Sequence, residues 1–114
     1  MARGPHKLTV QYTANSRRDL QEIWDWNAKV RGDRHAVGYI EFLRAETRKL
    51  ASSANPGRLI ESNPTLRYFT IKRRARGYGH IVVFWIDDEI LHVLRYFHTS
   101  QDWERKLGGE PKLS

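Results

Sequence analysis

Residues 81–86 read Ile81, Val82, Val83, Phe84, Trp85, Ile86, six apolar side chains in unbroken succession. A strand sends alternate side chains to opposite faces, so such a run is stable only where both faces are covered. At six residues it is far too short to cross a bilayer as a helix, which takes roughly 20. The segment 80–86 is therefore read as a central strand, and the remainder of a 114-residue chain has to supply neighbours on its edges and a layer on each side. Asp87 and Asp88 follow it and are read as a tight turn.

Two further strands bracket this one, over residues 66–72 and 89–97, each bounded by turn-forming residues. A fourth lies at the start, residues 7–12, where Leu8, Val10 and Tyr12 alternate with Thr9 and Gln11. Thr13 is a candidate N-cap for a helix over 14–30, in which Leu20, Ile23, Trp24 and Asn27 form one stripe. Asp19 and Glu22 are placed early enough in it to oppose the helix dipole. Gly32 breaks the pattern, and Ala36, Ile40, Leu43, Thr47 and Leu50 repeat at helical spacing over 34–52. A link of a few residues makes the two helices an antiparallel hairpin. Residues 52–64, with Pro56, Gly57 and Pro64, read as a loop, and residues 100–107 as one or two helical turns ended by Gly108 and Gly109. The fold class is α+β: an N-terminal strand, a helical hairpin laid on one face of the sheet, three antiparallel strands and a short C-terminal helix whose Trp103 folds back onto the sheet.

One domain spanning residues 1–114 is expected, since a 39% hydrophobic content with four Trp, five Tyr and four Phe supplies a core without staples. The chain has no Cys, which excludes disulfides, thiol catalysis and thiolate zinc sites, and its five His are scattered, so neither metal nor cofactor is expected. There is no apolar run of membrane-spanning length and the start is polar, so a cytoplasmic protein without a membrane role is expected. Lys and Arg outnumber Asp and Glu by 20 to 13, a formal charge of +7 that favours acidic partners.

That charge is unevenly spread. Residues 66–86 hold Arg67, Lys72, Arg73, Arg74 and Arg76 and no acid, whereas the helical hairpin is nearly balanced. The basic edge is thus one end of the sheet and its connecting loop, interleaved with Tyr78 and His80. A solvated turn that keeps the edge soluble and a binding surface are both open readings. Arg95 lies in a strand that is apolar on both faces, so it is either paired with a carboxylate or directed at a phosphate. His98 closes the same strand, and regular alternation puts it on the face opposite Arg95 unless a bulge intervenes. Trp24 and Trp26 cannot both face one core, which leaves Trp26 at the flank as a protein contact or packed against a loop.

No phosphate loop, nucleophile elbow or carboxylate pair is found. Several short runs, in order, resemble the RelE/ParE toxin superfamily of bacterial toxin–antitoxin pairs, closer to its ParE branch. Asp19-Leu20-Gln21-Glu22-Ile23-Trp24 is similar to the family's A-x-x-D-L-x-x-I. Leu50-Ala51 with Asn55-Pro56-Gly57-Arg58 is similar to L-A-x-x-P-x-x-G-R, and Leu66-Arg67 to G-L-R. Residues 79–87 look like the strand G-Y-L-I-F-Y-R-V-D, and residues 90–102 like the closing V-x-I-L-R-V-L-H-x-x-x-D. The likeness covers about residues 8–107. Phe84 stands where the family often has Tyr and Trp85 where it often has Arg, and the loop over 73–78 is longer and more basic.

The resemblance implies a toxin silenced by a cognate antitoxin in a hetero-oligomer. ParE-like members poison DNA gyrase, and RelE-like members cut messenger RNA in the ribosome. RNA cleavage without metal needs a base, a phosphate-binding cation and an acid in one place. The candidates are Glu61 or His80 as base, Arg67 and Arg95 on phosphate, and His98 or Tyr96 as acid. Simple strand geometry does not bring these together, so no catalytic set is assigned and the binding inhibitor is preferred over the ribonuclease. Target contacts are then expected at Arg67, Lys72, Arg73, Arg74, Arg76, Arg95 and Trp103, and antitoxin contacts at Trp26, Tyr78 and Trp85.

Overall fold

A computed structural model describes residues 7–54 and 56–108. The polar start before residue 7, Asn55 of the Pro-Gly run and Gly109 lie outside the described residues, as do both ends of the expected 1–114 domain. The elements run β1 (Thr9–Tyr12), α1 (Ala14–Arg31), α2 (Asp33–Ala51), β2 (Arg58–Ile60), β3 (Asn63–Ile71), β4 (His80–Asp87), β5 (Ile90–His98) and α3 (Trp103–Leu107). They form one five-stranded sheet ordered β1-β5-β4-β3-β2, with β1 parallel to β5 and the other pairs antiparallel. The apolar run 81–86 occupies the middle strand, as its two-faced burial requires.

Sequence and structure part at several places. β2 lies inside the segment read as a loop. Three residues behind Pro56 and Gly57 carry too little pattern to register, and pairing with β3 is what makes them a strand. Pro64 sits within β3, ahead of the positions that pair with β4, so its missing N–H breaks no bond of that ladder. The turn after β4 is Asp88–Glu89 rather than Asp87–Asp88, since Asp87 still pairs with Ile90 and the two turn residues have φ of 53° and 65°. Two positive values at the centre of a two-residue hairpin match the twist of the flanking strands.

A further difference concerns the strand that borders the site. In the β4–β5 ladder Val83 pairs with Arg95 and Phe84 with Val93, so Leu94 has no partner and β5 bulges there. Beyond the bulge the faces exchange: Leu91, Val93 and Tyr96 join one core, and Leu94 and Phe97 the other. Regular alternation, which would set Leu91, Val93, Arg95 and Phe97 on one face, is broken at Leu94.

The first core lies between the sheet and the hairpin, where Leu20, Leu43 and Leu50 meet Ile71, Val82, Phe84 and Tyr96. Ala36, Leu43, Thr47 and Leu50 are buried as the α2 stripe requires, and on α1 Leu20 and Asn27 are buried while Ile23 and Trp24 are half-buried. Phe84 stacks its ring over Gly57, whose φ is 66° and where a Cβ would come within 2.6 Å of the Tyr68 carbonyl and 2.9 Å of Phe84. The second core, on the opposite face, joins Ile60, Leu66, Ile81, Val83, Leu94 and Phe97 to Leu107 of α3. Trp103 folds back onto it with its ring 5.0 Å from that of Tyr68.

Thr13 caps α1, its hydroxyl oxygen accepting from Ser16 N at 3.1 Å while donating to the carbonyl of the bulged Leu94 at 2.9 Å. The first turn of α1 carries no acid, contrary to the dipole role expected of Asp19 and Glu22. Asp19 has another function.

Candidate binding site

β1 pairs with β5 only as far as Tyr12 opposite Val93, so from Leu94 onward β5 has an open edge beside α1. A groove of about 550 Å³ forms there, walled by α1, by the last residues of β5 and by the loop between β3 and β4. At its base Asp19 accepts from Arg95 Nε at 2.7 Å, from Arg95 Nη2 at 3.0 Å and from the Tyr96 backbone N–H at 2.9 Å. The guanidinium also lies 4.7 Å from the Phe97 ring centroid. Of the two roles open to Arg95, the structure shows the carboxylate pair.

His80 and His98 are cross-strand partners at the head of the groove, with ring centroids 5.2 Å apart. His80 is buried, and its Nδ1 lies 2.6 Å from the Tyr39 hydroxyl of α2. Burial, and secondarily the neighbouring His98, lowers its pKa to about 4, so it stays neutral near pH 7. Burial likewise pushes Tyr39 up to about 12 against the opposing field of Arg73. His98 accepts at Nδ1 from the Ser100 backbone N–H at 3.2 Å, with the Ser100 hydroxyl 2.6 Å away, so its neutral form carries the ring proton on Nε2. Tyr96 turns its hydroxyl away to Thr47 at 2.7 Å within the core, where burial raises its pKa.

His80, Arg95, Tyr96 and His98 thus line one groove, which corrects the expectation that they do not converge. Arg95, Tyr96 and His98 follow the bulge in regular register, so Arg95 and His98 keep opposite faces. The open edge of β5 beyond Val93 lets residues of both faces reach one groove, and the residue pattern carries no mark of it. Glu61 and Arg67 are elsewhere: Glu61 lies exposed between β2 and β3 at the far edge of the sheet, and Arg67 donates to the Pro56 carbonyl at 3.2 Å. Trp85 is half-buried on the face away from the hairpin, stacked on His92 at 4.4 Å, so it does not join Trp26 and Tyr78. Those two face the groove and are 62% and 75% exposed.

The basic loop, residues 72–78, is exposed along its whole length. Arg73 lies over α2, 5.3 Å from the Phe42 ring centroid and 6.0 Å from that of Tyr39. Lys72, Arg74 and Arg76 have no hydrogen-bond or ion-pair partner among the described residues. The loop base is fastened to the end of β5, Gly79 N donating to Thr99 Oγ1 and Thr99 N to the Gly79 carbonyl, both at 3.0 Å. Tyr39, Gln101 and Lys106 also line the groove and were missed from the sequence. Tyr39 stands outside the apolar stripe, and the other two belong to a tail whose path no local pattern sets. Among the described residues no cluster of three or more His, Asp or Glu is placed to hold a metal ion.

The sequence profile for the ParE toxin of type II toxin–antitoxin systems, parDE, matches residues 10–103. The chain belongs to the ParE toxin family. It is a type II toxin of the ParE type, as its ordered motifs imply. In fold it is similar to a chain of the chromosomal ParDE toxin–antitoxin system from P. aeruginosa, with a TM-score of 0.67 and 22% identity over 80% of this chain and 95% of that one. No curated protein matches the sequence. Trp85 stacks its ring on that of His92. Exposed cations without a partner among the described residues are clustered on the loop between β3 and β4, at Lys72, Arg74 and Arg76. No helix among the described residues is long and apolar enough to cross a membrane.

Proposed function

We propose that this ParE-type toxin inhibits DNA gyrase by binding it, with the loop cations as the principal contact, and that a cognate antitoxin silences it in a hetero-oligomer. The observation that carries the reading is the Arg95–Asp19 pair. A phosphodiester-cleaving groove needs a guanidinium directed at the phosphate, and this one is already matched by a carboxylate. The proton movers are similarly engaged: His80 is neutral and bonded to Tyr39, and the Tyr96 hydroxyl is inside the core. Glu61 and Arg67 lie across the sheet from them. These placements favour binding over bond-breaking.

Lys72, Arg74 and Arg76 are exposed and unpartnered among the described residues, and so are suited to an acidic surface of the target. Arg67, Arg95 and Trp103, engaged within the fold, support the surface rather than form it. For the antitoxin, the end of the hairpin offers Trp26, Val30 at 55% exposure and Val37 at 47%, with Tyr78 at its flank. An acidic amphipathic segment suits this apolar end beside the cationic loop. The test is a gyrase supercoiling reaction run beside a ribosome-programmed translation reaction. Blocked supercoiling with intact message supports the proposal, and cleaved message with unimpaired supercoiling contradicts it.

A further inference from the structure

The antitoxin reading takes Trp26 and Tyr78, and the gyrase reading the loop cations, as separate surface contacts; the groove they border has a composition of its own. Apart from Ile23, its non-polar lining is made of rings, among them Trp26, Tyr39, Tyr78 and Phe97, with the imidazoles of His80 and His98 beside them. Two of these rings, Trp26 and Tyr78, are exposed and stand on different elements, α1 and the β3–β4 loop. A docked amphipathic helix fills a groove with apolar anchors spaced three and four residues apart. Flat walls with polar edges instead suit a flat, polar-edged occupant.

Polar groups with free donors line the same groove. His98 presents Nε2–H once its Nδ1 accepts from Ser100, and Gln101 accepts from His98 N through Oε1, which leaves its amide N–H₂ to donate. Lys106 adds a cation to the lining. Of the acids there, Asp19 is matched by Arg95 and Glu22 is exposed at the rim. At the mouth, Lys72, Arg74 and Arg76 lie on the same loop as Tyr78, in a stretch from 66 to 86 without one acid.

We propose that this groove binds single-stranded nucleic acid, stacking an unpaired base between Trp26 and Tyr78 while Lys72, Arg74 and Arg76 hold the flanking phosphates. Rings for bases beside a cationic track for the backbone are the recurring arrangement for single strands. The volume of about 550 Å³ is of a size to accommodate one nucleotide. RNA and DNA share the chemistry used here, since neither stacking nor phosphate contact requires a 2′-hydroxyl.

The test uses the purified full chain with fluorescein-labelled dT12 and rU12, a duplex of equal length, and poly-glutamate as a competitor of equal charge. Both single strands, or one of them, bind at least tenfold more tightly than the duplex, and poly-glutamate displaces them poorly. Trp26→Ala and Tyr78→Ala each weaken single-strand binding about tenfold. Arg74→Ala with Arg76→Ala lowers the slope of log K against log salt by between one and two. All four positions are exposed, and circular dichroism confirms that each variant is folded. Equal affinity for duplex, efficient displacement by poly-glutamate, or unchanged affinity in both aromatic variants overturns the proposal. Neither gyrase nor antitoxin is present, so failure here leaves the inhibitor reading standing.

Discussion

Arg95 and Asp19, 76 residues apart in the chain, meet through two hydrogen bonds of 2.7 and 3.0 Å at the open edge of β5. The carboxylate also accepts the N–H of Tyr96, so one buried side chain fastens α1 to the strand just past its bulge. Removing Asp19 takes the carboxylate away from a partly buried guanidinium and the acceptor away from the buried Tyr96 N–H, at a cost of about 3 kcal/mol. Asp19→Ala should therefore show a lowered urea midpoint. Asp19→Asn, which keeps an acceptor for Tyr96, should lose less. Equal stability of Asp19→Ala and the parent would show that the pair adds nothing to the fold.

His80 gives the fold a dependence on acid. Its pKa is near 4 in the folded chain against 6.5 when unfolded, so above about pH 6.5 it is neutral in both states and has no effect. Between 6.5 and 4 the unfolded chain takes up a proton that the folded chain refuses, and stability falls as the pH falls. The full loss is on the order of 3 kcal/mol. Urea unfolding of the parent and of His80→Gln at pH 7.5, 5.5 and 4.5 isolates this contribution from that of the carboxylates. The gap between the two should narrow with acid, whereas a constant gap would refute the assignment.

Gly79 anchors the basic loop by close approach. A Cβ there would lie 2.1 Å from the Ile71 carbonyl and 2.9 Å from Lys72 Cγ, so the strand ends have to separate to admit one. Gly79→Ala should lose about 2 kcal/mol and loosen the bonds to Thr99. Hydrogen exchange at Gly79 and Thr99 reports this directly, and unchanged protection of both amides would count against it.

The layers of the fold were legible because each rests on a period. The run 81–86 demanded a central strand, and the stripes through Leu20 and Leu43 demanded a hairpin to cover it. β2 was hidden because three residues carry no period, and the bulge at Leu94 because it changes the register without changing the residue pattern. The groove lies at the edge of β5 that β1 leaves open beyond Val93, and where a neighbour strand stops is not written in either strand's own pattern. Arg95 was readable as a strand cation in need of a partner, but its partner was not, because Asp19 resembles an ordinary early-helix acid. The loop cations were visible as a charge imbalance. Folding separates Arg73, laid over Phe42, from Lys72, Arg74 and Arg76, which remain exposed.

The central claim is that the toxin harms through grip, with its unpartnered loop cations doing the holding. The most direct measurement is gyrase supercoiling at increasing concentrations of the parent chain and of an Arg74→Ala, Arg76→Ala variant shown to be folded. The account predicts that the parent halts supercoiling and that the variant needs at least tenfold more protein to do so. Unimpaired supercoiling with the parent, or equal inhibition by the two, would contradict it.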